Sequence, residues 1–262
     1  MKLIMSKGVL LLLSFPLFLF SCTASFPLAN YPIRQIDRPY TMPKSMRAWR
    51  TSLQAGIGDN SEEVLPLNPF NLEQALSDRV TLLWSVLPVG IKYQFLNTGS
   101  SLLGGFAVLS GIGYYSSGGV IVVPETGLFY RYKIIDILAL ELGAFFKENM
   151  RLGDSEFIWE AGTSISPMVQ LNDDLAIWIS VSAIDTRAYK KVNQGGVTSD
   201  QFFTQKNNTR YNDRQLVYPV GIKSALSISK QWELITGYNY IGLFSKNIKV
   251  NHLIYGNVFH YW

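Results

Sequence analysis

Few side chains in this sequence could do acid–base or nucleophilic chemistry. Among 262 residues there are two histidines, His252 and His260, and one cysteine, Cys22. A serine nucleophile needs a base within hydrogen-bond reach and a third group that orients that base. Both histidines fall on one face of the last predicted strand, and the matching face of the preceding strand, within 232–244, carries no serine. We therefore expect no enzymatic activity.

The sequence also gives no indication of a metal site or a cofactor site. The sequence has no cysteine pair and no histidine cluster with metal-ligand spacing. Its glycine pairs, Gly104-Gly105 and Gly118-Gly119, lie within or beside alternating segments, where glycine suits a bend or crowded packing. The net charge of +4 is too small to indicate nucleic-acid binding. We expect no cofactor, no metal and no nucleic-acid partner.

Isolated charges on the polar faces of predicted strands are the main candidate functional residues. They carry both signs and are spread over many strands, which suits an enclosed interior where charges pair, because an unpaired buried charge is costly. The alternative is that they are solvated surface charges. The residues that we predict to line a lumen are Arg50, Arg79, Lys92, Arg131, Glu141, Glu160 and Lys223.

Strands must position these charges, because the chain from Trp49 onward alternates apolar with polar or small residues. Successive side chains of a strand point to opposite faces, so each run sorts into two faces. In 214–229 the apolar face carries Leu216, Ile222 and Leu226, and the other face carries Gly221 and Lys223. In 102–115 the apolar set is Leu102, Phe106, Val108, Ile112 and Tyr114, which we expect to face outward.

Composition limits the fold to two outcomes. The chain is 48% hydrophobic and only 16% charged, which excludes a disordered protein. Past residue 21 it has no apolar run of the roughly 20 residues that a membrane helix needs. An apolar soluble β protein or a β-barrel in lipid remains. The polar faces carry Ser, Gly, Gln and Ala more than charge, which favours the barrel over a soluble sandwich.

Turn lengths point the same way. Short turns follow Ser77, Leu171 and Ile228, whereas longer polar connections are predicted at 147–155 and 189–213. Short turns on one side and long loops on the other are typical of outer-membrane barrels.

The first 21 residues are predicted to be a secretory signal sequence. Two lysines precede an apolar stretch from Gly8 to Phe20 that is too short to span a bilayer. The following Leu19-Phe20-Ser21-Cys22 resembles the lipobox of bacterial lipoproteins, which implies acylation of Cys22, although Phe20 departs from the usual smaller residue. Cleavage after Ala24 or Ser25 without lipidation is the alternative.

Residues 22–46 are predicted to precede the barrel. Prolines at 27, 32, 39 and 43 disfavour both a helix and a central strand. The segment is either an extended periplasmic lead-in, which we favour from composition, or a plug folded into the barrel lumen.

The end of the chain resembles the C-terminal β-signal of bacterial outer-membrane proteins, a glycine followed by aromatics and a terminal aromatic. Gly256, Phe259, Tyr261 and Trp262 match it. The resemblance covers about ten residues and implies recognition by the barrel-assembly machinery during insertion into the outer membrane.

We therefore predict an all-β, antiparallel up-and-down transmembrane barrel over 47–262. Strand number is even in such barrels. Twelve strands result if 67–76 is a strand, and ten if 79–97 is one bent strand; we prefer twelve.

The predicted location is the bacterial outer membrane, in contact with its lipid. The favoured function is a narrow pore or uptake channel for small solutes. A structural or surface-interaction barrel acting through loop 189–213 is the alternative. An outer-leaflet lipid hydrolase is a distant third.

Overall fold

The computed structural model describes residues 31–58, 61–84, 89–112, 120–152, 156–194, 197–202, 214–241 and 252–262. The predicted signal sequence and Cys22 lie outside these residues. Among the described residues, no helix has the length and apolarity to cross a membrane.

The chain is built almost entirely of antiparallel strands. A 3₁₀ turn at Gln35–Asp37 precedes them. The strands are β1 (Arg47–Gly58), β2 (Ser61–Ser77), β3 (Val80–Trp84), β4 (Val89–Asn97), β5 (Ser101–Ile112), β6 (Val120–Ile135), β7 (Leu138–Leu152), β8 (Glu156–Gln170), β9 (Leu175–Gln194), β10 (Val197–Phe202), β11 (Arg214–Val217), β12 (Val220–Ser227), β13 (Trp232–Tyr240) and β14 (His252–Tyr261).

These segments close into a barrel of twelve strands, as predicted. Each strand pairs with its sequence neighbours, and β14 pairs with β1 to complete the ring. Segments β11 and β12 are two parts of one barrel strand, because both pair with the same edge of β9 and are separated only by Tyr218 and Pro219. Proline has no N–H for the ladder, which explains the break. Segment β10 folds back along the last residues of β9.

The two barrel ends differ. The end that carries Arg47 and Tyr261, here called the terminal end, has connections of two to four residues between its strands. Their side chains supply the turn geometry. Asn172 Oδ1 accepts hydrogen bonds from the N–H groups of Asp174 and Leu175, at 2.9 and 2.8 Å. Ser229 Oγ accepts from Trp232 N–H at 3.1 Å in the same way. Short turns of this kind mark the periplasmic side of outer-membrane barrels.

Alternation sorts side chains as expected on most strands. Ile179, Ile222 and Leu128 point outward and are 55%, 49% and 56% exposed. Their strand neighbours Trp178, Gly221 and other inward residues are buried or half-buried. So many exposed apolar side chains would be unfavourable in water, and a closed barrel with an apolar outer surface belongs in a membrane. The chain is therefore an outer-membrane β-barrel in fold and location.

In strand β5 the residues that were predicted to face outward face the barrel interior. Leu102 is buried inside the barrel and Phe106 shares its face, whereas Ala107 and Leu109 point outward and are exposed. The register explains this, because Leu102 pairs with the inward-pointing Arg131 of β6. Residue size alone therefore assigned this strand to the wrong face.

The predicted long connections are also shorter than expected. β7 continues to Leu152 and β8 begins at Glu156, which leaves only 153–155 of the connection 147–155. In the predicted loop 189–213, β9 continues to Gln194 and β10 pairs back onto it. Cross-strand hydrogen bonds extend these polar segments without an apolar face. Residues 203–213 lie outside the described part of the chain.

Candidate functional site

Residues 31–46, here called the inner segment, cross the barrel interior at the terminal end. Three backbone N–H groups of the inner segment donate hydrogen bonds to inward-facing side chains, one on β8 and two across the ring on the adjacent strands β3 and β4. The pairs are Ile36 with Gln170 Oε1 of β8 at 3.2 Å, Tyr40 with Gln94 Oε1 of β4 at 2.9 Å, and Met42 with Thr81 Oγ1 of β3 at 3.1 Å. Contacts to opposite sides of the ring require the segment to lie inside it.

Arg38 is the most tightly held residue of the inner segment. Its Nη1 lies 2.6 Å from Glu233 Oε2 of β13, and the two side chains are only 6% and 2% exposed. Its Nη2 donates to Ser227 Oγ of β12 at 3.1 Å. Glu233 also accepts hydrogen bonds from the Tyr261 hydroxyl at 2.6 Å and from the Gln35 side-chain amide. The carboxylate is thus fully occupied, as a buried charge requires.

A second ion pair is hydrogen-bonded to the backbone of the inner segment. Arg131 of β6 and Glu141 of β7 are directly paired in register, and Arg131 Nη2 lies 2.7 Å from Glu141 Oε1. Arg131 Nη1 donates to the backbone carbonyls of Gln35 and Arg38, at 2.9 and 3.0 Å. Two predicted lumen residues therefore anchor the inner segment.

Aromatic packing fixes the middle of the inner segment. The Tyr40 ring stacks on Phe129 of β6, with centroids 5.2 Å apart. It lies over Gly104 of β5, where a Cβ would overlap the ring. Only glycine leaves room for this contact, so Gly104 allows the Tyr40 ring to pack directly against the backbone of β5.

Apolar clusters complete the contact. Met42, Met46 and Tyr31 pack with Tyr261 and Ala48, next to the start of β1. Ile36 packs in a second buried cluster with Met168, Trp178 and neighbouring alanines. Burial raises the pKa of Tyr31 from 10.0 to about 12, against the opposing effect of Arg38, so its hydroxyl stays neutral to a higher pH than that of an exposed tyrosine.

The inner segment leaves a cleft beside it at the terminal end. The cleft has a volume of about 510 Å³ and lies between the inner segment and the rim of β5 and β6, where Asp37, Arg38, Leu102, Arg131 and Asp136 line it. Lys133 bridges Asp37 and Asp136 across its edge, at 2.9 and 3.0 Å.

Above the inner segment, toward the far end, inward-facing rings lie flat against the wall. Phe106 lies over Gly127 of β6, Phe145 over Gly162 of β8, and Tyr255 over Gly237 of β13. In each of these three pairs the ring and the glycine lie on neighbouring strands. Glycine provides the space that lets each ring cover the neighbouring strand instead of extending across the lumen.

The other predicted lumen residues are placed as follows. Lys92 lies 2.9 Å from Glu73 of β2, a buried partner that the sequence did not single out as lumen-lining. Glu160 lies 3.4 Å from Lys147 on the adjacent strand. Arg50 and Lys223 each lie against an aromatic ring, Phe259 at 5.8 Å and Trp178 at 4.1 Å.

Arg79 departs from its predicted position. It lies in the two-residue turn between β2 and β3, and its side chain is exposed. The strand begins one residue later than predicted, at Val80, because Asp78 and Arg79 form the turn. Arg79 therefore does not face the lumen.

The residues of the predicted C-terminal signal divide between the two faces of β14. Phe259 and Tyr261 point inward, where Tyr261 bonds to Glu233. Gly256 faces outward with open space around it, and Trp262 stacks on His260.

His252 faces outward on β14, as predicted. Its Nδ1 lies 2.7 Å from the Tyr238 hydroxyl, and Tyr240 packs on the ring. The described residues contain no group of three His, Cys, Asp or Glu side chains placed to hold a metal ion.

The sequence analysis did not single out Arg38, Gln35, Ser227, Glu73 or Glu233 as site residues. Arg38 stood in a proline-rich segment with no assigned partner. The signal that could have found the pair is an arginine before the first strand together with an unmatched inward-facing Glu233, since buried charges need partners.

Comparisons with known proteins agree with this architecture. No protein-family model matches the chain, and no curated protein is similar to it in sequence. An outer-membrane channel from Pseudomonas putida F1 has a TM-score of 0.58 and 11% identity, over 85% of this chain and 97% of the channel.

Two further structures resemble the chain more loosely. The NanC porin has a TM-score of 0.41 at 10% identity, over 82% of this chain and 99% of its own. The CymD monoaromatic hydrocarbon channel has a TM-score of 0.42 at 10% identity, over 84% and 88%. Only the first likeness is close enough to carry an argument, and it concerns the fold: the chain folds as an outer-membrane channel barrel does.

Proposed function

We propose that this protein is an outer-membrane channel for small solutes whose periplasmic end is closed at rest by the inner segment, which acts as a plug. The observation that carries the proposal is the buried ion pair of Arg38 and Glu233, which joins the inner segment to the barrel wall. A lead-in that only connected the barrel to a membrane anchor would have no need of a buried charge inside the lumen.

The wall above the inner segment supports a solute path. Phe106, Phe145 and Tyr255 each pack over a glycine of the neighbouring strand, so these three rings cover the wall instead of extending across the lumen. An interior filled for stability alone would instead interdigitate its large side chains. Release of the inner segment would then connect the lumen to the periplasm through the cleft beside Arg131.

The inner segment is held by contacts that can be exchanged. Three of its backbone N–H groups donate to the side chains of Gln94, Gln170 and Thr81. Backbone bonds to a strand are found at its end, where Ser45 and Met46 bond to Ala75 of β2. Side-chain hydrogen bonds each contribute about 0.5–1.5 kcal/mol, so the segment can leave without breaking the barrel.

A surface-interaction role has one observation in its favour, the β9–β10 hairpin that extends polar strands at the far end. A lipid hydrolase is less supported, because His252 bonds to Tyr238 rather than to a serine. We propose that the protein is not an enzyme.

Planar-bilayer recording tests the channel proposal. The variant Gly104→Leu places a side chain where the Tyr40 ring sits, and we expect it to displace the inner segment and raise open probability above wild type. The matched control is Ala107→Leu, which enlarges an outward-facing residue of the same strand and should leave conductance unchanged. A heat-modifiability gel confirms that both variants fold. Absence of conductance in wild type and Gly104→Leu alike would overturn the proposal.

A further inference from the structure

We propose that Lys223, Trp178 and Tyr255 form a subsite in the lumen that binds the carboxylate of a small organic anion in transit. This inference rests on the proposed channel function and assigns a substrate class to it. The three residues lie on β12, β9 and β14, on the inward face of the barrel wall.

The register brings the three side chains together. Lys223 pairs directly with Trp178 on one side and with Gly237 on the other. Gly237 in turn pairs with Tyr255, whose ring lies over it because glycine leaves the space open. The Tyr255 side chain therefore covers the gap between its own strand and Lys223.

The charge of Lys223 is not neutralised within the described part of the barrel. The carboxylates that interact with it electrostatically are Glu141 and Glu233, and the positive charge of Arg131 acts against them. Both carboxylates are already engaged, Glu141 by Arg131 at 2.7 Å and Glu233 by Arg38 at 2.6 Å. The ammonium instead lies 4.1 Å from the centre of the Trp178 ring, and no described carboxylate lies within ion-pair distance of it.

Two neutral donors accompany this charge. Trp178 is 3% exposed, and its indole N–H has no hydrogen-bond acceptor among the described residues. The Tyr255 side chain is half-buried, and its hydroxyl end lies over Gly237. A buried donor without an acceptor, such as the Trp178 N–H, is rare in folded proteins and indicates a missing ligand or water.

One ammonium and two neutral donors suit a single carboxylate. A carboxylate accepts several hydrogen bonds on two oxygens, and its one negative charge matches the one unpaired positive charge. The rings of Trp178 and Tyr255 would contact the apolar part of the solute. A dianion such as phosphate would need a second unpaired base at the same place.

Ion selectivity tests the subsite, and it is measured in the Gly104→Leu background so that closure by the inner segment does not limit current. We expect the permeability ratio of acetate to potassium, from reversal potentials in potassium acetate gradients, to fall about fivefold or more in Lys223→Met. Tyr255→Phe should lower it less. The control Lys230→Met removes an equal charge from an exposed turn and should leave the ratio unchanged.

A second readout does not depend on conductance. Acetate should raise the thermal unfolding temperature of wild-type protein in detergent but not that of Lys223→Met, because a ligand stabilises the state that binds it. If the channel conducts but Lys223→Met and Lys230→Met have equal selectivity and equal acetate response, the proposed subsite is overturned and the proposed channel function is retained. A response to inorganic phosphate without one to acetate would overturn the carboxylate assignment. Loss of conductance with a retained acetate response would overturn only the channel.

Discussion

The Arg38 guanidinium and the Glu233 carboxylate lie 2.6 Å apart inside the barrel, although 195 residues separate them in the chain. Arg38 belongs to the inner segment and Glu233 to β13, so the contact joins the two parts of the molecule. Both side chains are buried, and hydrogen bonds from Tyr261 and Gln35 complete the carboxylate's shell.

Loss of one partner should release the inner segment. Glu233→Gln leaves Arg38 buried without a counter-charge, which costs about 3–5 kcal/mol for a buried pair. The variant leaves the backbone hydrogen bonds between the barrel strands unchanged. We therefore expect the weaker attachment of the inner segment to appear as faster protease cleavage within 31–46. Limited proteolysis of the folded protein in detergent measures it.

The control for this variant is Glu160→Gln. Glu160 and Lys147 lie 3.4 Å apart and are partly exposed, so the change should cost about 0–1 kcal/mol and leave cleavage unaltered. Replacement of both partners by methionine, Arg38→Met with Glu233→Met, should restore part of the protection. Equal cleavage of wild type and Glu233→Gln would contradict this assignment.

Alkaline pH should weaken attachment of the inner segment through Tyr31. Its pKa is raised from 10.0 to about 12 by burial, so the released segment gives up this proton at lower pH than the bound one. The contribution of Tyr31 is complete below pH 10 and is lost as pH rises toward 12. Protease sensitivity between pH 9 and 12 should rise later in Tyr31→Phe than in wild type; identical profiles would remove Tyr31 as a cause.

Charge placed on the outer face of β9 should destabilise the barrel in lipid. Ile179 is 55% exposed and faces outward, so Ile179→Lys should cost about 2–4 kcal/mol if it lies near the bilayer midplane. Ser182→Lys, which faces the lumen on the same strand, should cost far less. Urea unfolding in liposomes compares the two, and an equal cost would mean that the outer face does not meet hydrocarbon.

Cys22 is proposed to carry a lipid anchor. Labelling with a fatty-acid analogue should mark the wild-type protein, and Cys22→Ser should abolish the label, because this is the only cysteine in the chain. Label that persists in Cys22→Ser, or none in wild type, would favour ordinary cleavage after Ala24 or Ser25.

The barrel itself could be predicted from the sequence because period-two alternation and turn chemistry are local. Runs such as 214–229 show which side chains share a face, and Asn172 and Ser229 mark turns through bonds to their own backbone. The preference for twelve strands depended on treating Ser77-Asp78 as a turn, and β2 does end at Ser77.

The interior contacts could not be predicted in this way, because they depend on register between distant segments. Strand β5 shows the limit: Leu102 and Phe106 were predicted to face lipid, but their pairing with β6 turns both inward. The partner of Arg38 likewise depends on where β12, β13 and β14 meet the inner segment. Composition favoured an extended lead-in at 22–46, whereas the contacts of its described part, 31–46, are those of a segment inside the barrel.

A reversible disulfide between the inner segment and the wall tests most directly whether solutes pass only when that segment leaves. Met42 N–H donates to Thr81 Oγ1 at 3.1 Å, so the two residues are neighbours. Met42→Cys with Thr81→Cys, in a Cys22→Ser background, places cysteines at these two positions, and titration of free thiols identifies the oxidised form. We predict that the oxidised protein does not conduct in planar bilayers and that reduction restores channel openings. Equal conductance of the oxidised and reduced forms, or none in either, would contradict the account.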